Sequence, residues 1–336
     1  EEKRYTGVLT ANNYGRKSIG EARVEGGFLM ANPIFEGDML NLSGIIAQDS
    51  RMYYGRIDYD APVNTSGTRV GLSYSAFRYD VDVEEIGFPG GETLGGNGYN
   101  IVLSASHPIQ RSTRNNTTII VDGRSSTTDE NGSLALRDKN TINLLEVFVN
   151  YDHLYSNYAK TSIFGGLATN FKSIRDQLDR KSQKAKLTLD IRHYQPFLKN
   201  WFIIGRAQGA YSPDPLVDVE RYRIGGQGSV RAFPSAELAG DKGGVLSLDI
   251  GINFIVSGKL VLTPKVFADA GKVYRYNEFG FASLKSSESL AGYGAGLSAV
   301  YAKNHIFDLE VVTPTTDRDS SDGRDTRFWL NYRGIF

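Results

Sequence analysis

An arginine in an unusual setting is the first candidate for chemistry in this sequence. Arg231 follows a turn with three glycines and lies between Val230 and Ala232, which is uncommon at a loop tip surrounded by water. A buried guanidinium needs a carboxylate partner. Asp269 is available, because it shares one face of a predicted strand with Phe267, while apolar residues occupy the other face. We therefore predict a bidentate ion pair between Arg231 and Asp269 in a partly dehydrated interior.

Residue types that commonly perform catalysis form no recognisable site in this sequence. The four histidines are scattered, with neither His-x-x-x-His nor His-Glu-x-x-His spacing, and there is no cysteine and no Gly-x-Ser-x-Gly elbow. Two glycine-rich segments, 225–228 and 292–296, superficially suggest phosphate loops, but neither is followed by Lys-Ser/Thr or a convincing helix. A loop hinge and close-packed strand glycines explain them better. We expect no catalytic residues, no metal, no cofactor and no enzyme activity.

Composition and charge restrict the fold and the partners. The 336 residues contain 37 Gly, 19 Tyr and 17 Phe beside only 3 Met, which favours strands and turns over helices. Lys plus Arg equals Asp plus Glu at 38 each, so no overall positive field attracts nucleic acid. No predominantly apolar stretch of about 18 residues exists, which argues against a helical membrane protein.

Period-two alternation is the dominant pattern along the chain. Between Val245 and Val256, apolar side chains alternate with Ser247, Asp249, Gly251 and Asn253. In a soluble barrel or sandwich the apolar face points inward, whereas in an outer-membrane barrel it points outward. Alternation alone leaves both open. Candidate strands number about sixteen and fall near Tyr5–Asn13, Lys17–Ala31, Asp38–Ala47, Met52–Asp60, Thr68–Tyr79, Tyr99–Ser106, Thr117–Ser126, Thr141–Asp152, Tyr158–Thr169, Lys184–Tyr194, Trp201–Tyr211, Gly244–Val256, Lys259–Gly271, Leu290–Tyr301, His305–Thr313 and Thr326–Phe336.

The connections differ in length between the two ends of these strands. Connections after even-numbered strands are short, and four open with proline, which has no N–H for the ladder and so predicts strand ends: Asn32-Pro33, Ala61-Pro62, His107-Pro108 and Gln195-Pro196. Ser257-Gly258 takes the same place later. Connections after odd-numbered strands are longer and more polar, notably Asp80–Gly98, Lys172–Gln183 and Ser212–Gly243. This asymmetry is expected of the periplasmic and extracellular rims of an outer-membrane barrel.

The C-terminus carries a further signal. Residues 328–336 keep a strict period of two, with Phe328, Tyr332 and terminal Phe336 on one face, so the chain ends inside a predicted strand. An aromatic C-terminal strand of this form resembles the signal that the bacterial barrel-insertion machinery reads. With this signal, the membrane barrel is favoured over the soluble sandwich.

Two motifs and the opening hairpins resemble one family across essentially the whole chain. The loop Gly225-Gly226-Gln227-Gly228-Ser229-Val230-Arg231-Ala232-Phe233 resembles the Val-Arg-Gly-Phe/Tyr loop motif of the outer-membrane protein 85 superfamily, and Phe267-x-Asp269-x-Gly271 resembles its barrel-wall motif. The segment 238–243, with Gly240 and Asp241, is similar to the Leu-x-Gly-Asp-x-Gly segment of the two-partner secretion (TpsB) transporters, and residues 5–15 and 32–38 fit their first hairpins. One departure is Ala232, where the motif usually has Gly; if the backbone there needs a positive φ, Ala would add strain.

The resemblance implies a fold and a domain organisation. We expect an all-β, 16-stranded antiparallel transmembrane β-barrel over residues 1–336, with loop 212–243 folded into the lumen as a plug and gate. TpsB transporters normally carry periplasmic POTRA domains ahead of the barrel, and none precedes Glu1, so a barrel-only chain is expected.

The implied function is export of a large, unfolded TpsA-like exoprotein across the bacterial outer membrane, without ATP, in two-partner (type V) secretion. Polar inward residues would suit a wet path or simply solvate a channel: Asp190, Arg192, Asp249, Lys265, Asp308 and Glu310. Two alternatives stay open, namely an outer-membrane protein insertion and assembly barrel of the same superfamily, and a passive porin. Expected partners are the exoprotein, the barrel-assembly machinery during biogenesis and outer-membrane lipid, with no nucleic acid and a monomeric state.

Overall fold

The computed structural model describes residues 4–88, 91–134, 139–170, 174–175, 181–182, 185–276, 286–316 and 318–336. Sixteen barrel strands lie within these residues: β1 (Tyr5–Asn12), β2 (Arg23–Ala31), β3 (Met39–Ala47), β4 (Met52–Pro62), β5 (Arg69–Asp80), β6 (Gly95–Arg111), β7 (Asn115–Asn131), β8 (Lys139–Leu154), β9 (Lys160–Asn170), β10 (Ala185–Phe197), β11 (Trp201–Tyr211), β12 (Lys242–Ile252, continued by Phe254–Ser257), β13 (Leu260–Tyr274), β14 (Ser287–Tyr301), β15 (His305–Pro314) and β16 (Arg327–Ile335). Helix is limited to 3-10 turns at Lys17–Ile19, Gln48–Ser50, Glu84–Ile86 and Asp218–Glu220 in the described chain.

The strands form one antiparallel sheet that closes on itself. Each strand pairs with its neighbours in chain order, and β1 pairs with β2 on one side and with β16 on the other. In the closing pair Val8 lies opposite Ile335 and Asn12 opposite Asn331. Both segments of β12 pair with β13, so they count as one strand interrupted at Asn253. The predicted all-β, 16-stranded antiparallel barrel is confirmed.

The chain divides into two compact units. One comprises residues 1–108, 120–146 and 331–336 and contains β1 to β5, most of β6 and β7, part of β8 and the C-terminal end of β16. The other comprises residues 109–119 and 147–330 and contains β9 to β15 together with the long connection from β11 to β12. The two candidate motifs, at 225–233 and 267–271, both belong to the second unit.

Side-chain exposure decides which face is apolar. Leu246 and Leu248 of β12 are 65% and 48% exposed, whereas Asp269 of β13 and Glu310 of β15 are only 3% and 4% exposed. The apolar residues of β10, β15 and β16 at 187, 189, 307, 309, 328 and 330 also face outward. A water-soluble barrel would have the opposite arrangement, because exposed apolar bands of this extent are stable only in lipid. No helix among the described residues is long and apolar enough to cross a membrane.

Several predicted strand boundaries were wrong, and proline explains two of them. Pro108 lies inside β6 and Pro196 inside β10, although both were predicted to end their strands. Pro196 lies opposite Phe202 of β11, but the pairing of β10 with β9 already ends at Tyr194. The N–H that proline lacks is therefore not needed for a hydrogen bond to β9. Strands β6, β7 and β8 are accordingly longer than predicted.

The other corrections concern turns. Residues 17–19, predicted to begin β2, form a 3-10 turn instead, and Gly20 adopts a φ of 93°. The predicted loop Asp80–Gly98 is shorter, since β6 begins at Gly95. The predicted loop Lys172–Gln183 lies outside the described residues, except for the short antiparallel pair Ile174–Arg175 with Lys181–Ser182.

The turn between β2 and β3 is organised by one carboxylate. Oδ2 of Asp38 accepts hydrogen bonds from the backbone N–H groups of Ile34 (3.2 Å) and Phe35 (2.9 Å) and from the hydroxyl of Tyr59 (2.7 Å). Burial by itself would raise the pKa of Asp38, but these hydrogen bonds to the charged form outweigh it, and the pKa lies below its ordinary value. The ionised carboxylate therefore holds this turn together.

We predict that Asp38→Ala lowers the urea concentration at which the barrel unfolds from lipid vesicles, because three donors lose their acceptor. Because the folded pKa is depressed, the contribution of Asp38 is present above the unfolded pKa and is lost as pH falls through the folded pKa. Glu36→Ala, at an exposed position of the same turn, is the control. Equal midpoints for Asp38→Ala and the unmodified chain at neutral pH would contradict this role.

Candidate functional site

The connection from β11 to β12 contains an ordered hairpin. Tyr222–Ile224 pairs antiparallel with Leu238–Gly240. Between these segments the chain reverses at Gly225 and Gly226, which adopt φ values of 107° and 92°. A Cβ at Gly225 would come within 2.4 Å of the carbonyl oxygen of Pro234, so glycine is required there for space as well as for φ. The amide of Gly226 donates to Val230 and to Phe233, and Oγ of Ser229 accepts from the amide of Gly225.

Arg231 at the tip of this hairpin contacts the inner wall of the barrel. Nε and Nη2 of Arg231 each donate to one carboxylate oxygen of Asp269 at 2.8 Å, and the Arg231 amide donates to Oδ2 at 3.1 Å. Nη2 and Nη1 also donate to Asp249 at 2.6 and 3.0 Å. The arginine side chain is 7% exposed and that of Asp269 0%. The loop tip is thus held by two bidentate ion pairs in a partly dehydrated setting, where each charge is compensated.

A second cation and a third carboxylate extend this cluster. Glu310 lies 3.8 Å from Arg231 and accepts a hydrogen bond from Gln227 at 2.6 Å, which adds another loop contact. Lys265 binds Glu310 at 2.5 Å and lies 3.6 Å from Asp249. Three strands, β12, β13 and β15, therefore supply acidic side chains to one loop.

Two aromatic residues complete the environment of Arg231. The guanidinium carbon lies 3.5 Å from the centre of the Phe267 ring, a cation–π contact in a desolvated position. Nε1 of Trp329, a side chain of β16 that is 1% exposed, donates to the carbonyl oxygen of Arg231 at 2.8 Å. The arginine is therefore fixed through both its side chain and its backbone.

Burial lowers the pKa of Arg231, while hydrogen bonds and coulombic attraction from Asp269 and Asp249 raise it more strongly, so the pKa lies above the ordinary arginine value. The charged form of Arg231 is therefore the one that its two carboxylate partners stabilise.

Glycines in the wall provide room for the loop. A Cβ at Gly271 would lie 3.0 Å from Cγ2 of Val230, and a Cβ at Gly292 would lie 2.3 Å from Cβ of Ala232. Val230, Ala232 and Phe233 are each at most 1% exposed. The backbone strain expected at Ala232 is not observed, because this residue is absent from the positions with positive φ. Its methyl group is accommodated by Gly292 of β14 instead.

The base of the loop is fixed by two further carboxylates. Asp241, which is fully buried, accepts hydrogen bonds from the amide of Leu216 at 2.7 Å and from the amide of Tyr276 at 2.8 Å. A Cβ at the preceding Gly240 would clash with the backbone of Tyr274. Glu237 accepts from the amide (3.0 Å) and the hydroxyl (2.5 Å) of Ser321, in the connection between β15 and β16. Asp241 thus joins the beginning of the loop to its end and to the connection after β13, and Glu237 joins the loop to the connection after β15.

Every residue of the loop and wall motifs lies in or beside this cluster, whereas the C-terminal aromatics lie elsewhere. Phe328 and Phe336 are 59% and 61% exposed on the outward face, and Phe336 exchanges backbone hydrogen bonds with Gly7 of β1. The proposed part of Phe328, Tyr332 and Phe336 in barrel assembly stays a prediction, as does the functional role of the motif residues.

Sequence reasoning did not assign Trp329, Gln227 or the base-forming contacts of Asp241 and Glu237 to the site. Asp249 and Glu310 were predicted only as polar inward residues. The strand register supplies the missing signal, since Asp249 lies opposite Phe267 and Ser247 opposite Asp269. Asp249 and Asp269 are therefore diagonal neighbours on one face, which alternation within a single strand does not reveal.

An antiparallel barrel with an apolar exterior and an ion-paired loop on its inner wall defines an outer-membrane β-barrel. Residues 1–299 match the family described as haemolysin secretion/activation protein ShlB/FhaC/HecB, which is the TpsB family. The chain belongs to this family of transport and secretion proteins, and its location is the bacterial outer membrane.

Related proteins and solved structures agree with this assignment. The heme/hemopexin transporter protein HuxB of Haemophilus influenzae (strain 86-028NP) is 24% identical over 98% of this chain and 60% of its own length. The outer membrane transporter CdiB of Dickeya dadantii (strain 3937) is 25% identical over 71% of this chain and 44% of its own length. The chain spans about 60% of the length of the first of these relatives.

Among solved structures, CdiB from Escherichia coli superposes with a TM-score of 0.85 at 20% identity, covering 100% of this chain and 63% of that one. BamA from Haemophilus ducreyi lacking POTRA domains 1-3 gives a TM-score of 0.71 at 15% identity, covering 99% and 70%. At these identities the likeness concerns the fold alone.

We predict that Gly292→Ala destabilises the barrel by about 1–3 kcal/mol, because the new methyl group would meet Cβ of Ala232. Adding Ala232→Gly should restore part of the loss, but not all, since the carbonyl oxygen of Thr313 would still lie 2.9 Å from the new Cβ. Urea unfolding of the two single variants and the double variant from lipid vesicles measures the coupling. Strictly additive effects would show that Gly292 and Ala232 do not form the contact described.

Proposed function

We propose that this chain forms the outer-membrane pore of a two-partner (type V) secretion system, through which a large, unfolded TpsA-like exoprotein leaves the cell. The observation that carries the proposal is the position of the loop tip, with Arg231 ion-paired to Asp269 and Asp249 on the inner wall. A loop fixed at this place can obstruct the path and can be released from it. Transport of this kind needs no catalysed reaction, and we propose a transporter without enzyme activity.

The inner wall has the polarity that an exported chain requires. Asp190 of β10 is held by Arg206 at 2.6 Å, and Arg192 and Asp308 alternate with the outward-facing apolar residues of their strands. An unfolded chain exposes both apolar side chains and backbone polar groups. A hydrated wall offers hydrogen bonds to the backbone and no extended apolar surface to which side chains would adhere.

Releasing the loop requires free energy, because the charged groups at its tip are all paired in the closed state. Breaking the contacts of Arg231 would leave buried carboxylates unpaired, at a cost of about 3–5 kcal/mol where burial is complete. The exoprotein can shift this equilibrium only by binding more strongly to the open state than to the closed one. In our proposal, loop 212–243 is therefore the gate, and exoprotein binding supplies the free energy for its release.

Other parts of the proposal concern assembly and architecture. We propose that the chain is the barrel domain of a longer transporter whose POTRA domains capture the exoprotein, which agrees with its span of about 60% of HuxB. The aromatic outward face of β16, ending at Phe336, supports insertion by the barrel-assembly machinery. The exposed apolar band supports direct contact with outer-membrane lipid, and we propose a monomeric barrel.

A barrel that inserts other outer-membrane proteins is the second candidate, because the fold also resembles BamA. The segment 238–243 and the match to a secretion family favour export. A passive porin is the third candidate, and the anchored loop argues against it, since an open pore does not need a loop ion-paired to its wall.

We predict that Arg231→Ala in the full-length transporter loosens the loop and reduces secretion of its cognate exoprotein, while the barrel remains folded. Secretion by Arg231→Lys should lie between that of the unmodified transporter and that of Arg231→Ala, because an ammonium keeps the charge but lacks the planar fork that matches two carboxylates. Arg111→Ala, which removes an exposed arginine at the end of β6 and leaves the inner-wall residues named above unchanged, is the matched control. The measurement is the amount of exoprotein in the culture medium, and undiminished secretion by Arg231→Ala would contradict a working role for the pair.

Single-channel recording in planar bilayers separates the three candidates further. We predict small or flickering currents for the unmodified chain and more frequent, larger openings for Arg231→Ala, because the loop is then less firmly attached. A steady, large conductance that Arg231→Ala leaves unchanged would favour a porin. The assembly function would be favoured by a different result: Arg231→Ala shows the same small currents as the unmodified chain, but fails to restore insertion of other barrels in a strain depleted of the unmodified protein.

A further inference from the structure

A groove on the outward face of β12 and β13 has a composition unlike the rest of the apolar band. It has a volume of about 820 Å³ and lies near the strand ends that carry the long loops. Most of its lining residues belong to β11, β12, β13 and β14. Its floor contains the small residues Gly244, Ala270 and Ala291, and its sides contain larger ones. Tyr211, Leu246 and Tyr274 on these sides are 49%, 65% and 40% exposed.

Two lysines lie at the end of this groove that is nearer the long loops. Lys242 lies opposite Tyr274, and Lys272 lies opposite Gly244, so the two lysines are diagonal neighbours on one face of the sheet. Cβ atoms in this relation lie about 7–8 Å apart or slightly less. The two ammonium groups can therefore reach a single anionic group placed between the strands.

Neither ammonium group is neutralised by a carboxylate in the part of the chain that the structure describes. Nζ of Lys242 lies 4.8 Å from the ring centre of Tyr276 and 5.7 Å from that of Tyr211, and Nζ of Lys272 lies 5.0 Å from the ring centre of Tyr274. In contrast, Lys186 and Lys265 of the inner face pair with Glu220 and Glu310. Among the described residues that line the groove, none is acidic. Aromatic faces orient the two cations while leaving their charge available.

We propose that this groove binds a phosphate-bearing lipid of the outer leaflet, with acyl chains over Gly244, Ala270 and Ala291 and the phosphate between Lys242 and Lys272. The charge of the two lysines and the apolar residues that line the groove beside them both fit this ligand. The long loops mark this rim as the extracellular one, which places the lysines at headgroup level. The site depends on the outer-membrane location and not on export, so its test is separate from that of the proposed function.

Native mass spectrometry of the delipidated chain in a neutral detergent tests the site, with phosphorylated lipid A and its dephosphorylated form as probes. We expect the phosphorylated probe to bind at least about tenfold more tightly than the dephosphorylated one, because each charge-assisted contact to phosphate adds to affinity. Lys242→Gln/Lys272→Gln should remove this preference. Ala270→Leu, which fills the groove without changing charge, should weaken both probes, and excess inorganic phosphate should not displace the bound lipid.

The matched control is Lys199→Gln/Lys259→Gln, which removes the same charge from exposed turns at the opposite ends of the strands. It should leave the affinity unchanged. Equal loss of affinity in both double variants would show that only overall charge matters and would overturn the proposal. So would equal binding of the two probes, displacement by inorganic phosphate, or full affinity in Ala270→Leu. Circular dichroism of each variant verifies the strand content. Ala270→Leu is compatible with the fold, because position 270 faces lipid, where leucine is favourable.

Discussion

The contact of Arg231 with Asp269 and Asp249 is the interaction on which the interior of this barrel depends. It joins a connection of 30 residues, 212–241, to two strands, and its hydrogen bonds to both carboxylates use the whole guanidinium fork. The surrounding residues follow from it: Phe267 covers one face of the guanidinium, and Trp329 holds the backbone. The glycines at 271 and 292 leave space for the residues on either side of the arginine. The buried positive charge of Arg231 is stable here because the carboxylates of Asp269 and Asp249 compensate it.

The inverted distribution of polarity makes this arrangement possible. With lipid on the outside, the hydrophobic effect acts on the outer face, and the inner face is free to carry charges. Asp190, Asp249, Lys265 and Glu310 would be costly inside a soluble β-barrel, whose interior is packed with apolar side chains. Here Lys265 pairs with Asp249 and Glu310, both of these carboxylates also contact Arg231 of the loop, and Asp190 pairs with Arg206 of β11. The same inversion leaves Lys242 and Lys272 on the lipid face, where no carboxylate of the described residues pairs with them and where we propose lipid phosphate as their counter-charge.

The loop has two levels of attachment with different physical characters. At its base, Asp241 accepts hydrogen bonds from the amide of Leu216 within the loop and from that of Tyr276 after β13, Glu237 accepts one from Ser321, and the hairpin is closed by backbone pairing. At its tip, attachment is through side-chain ion pairs and the buried apolar residues Val230 and Phe233. The charged contacts of the tip all depend on Arg231, whereas the hydrogen bonds of the base are spread over several residues and three neighbouring segments. The tip is therefore the part of the loop suited to move while the base stays in place.

The sequence by itself determined the class of fold and the principal ion pair. Period-two alternation, the regular spacing of turns and the two motifs depend on local geometry and on residue type, which can be read along one chain. The tertiary structure decided what depends on register and on space between strands. Asp249 joins the Arg231 cluster because β12 and β13 pair in one particular register, and Trp329 reaches the loop from a strand 98 residues away. Ala232 fits without positive φ because Gly292 of another strand leaves room, and Pro196 lies inside β10 because its neighbour's pairing has already ended. None of these distances between strands is encoded in the local pattern of any one strand.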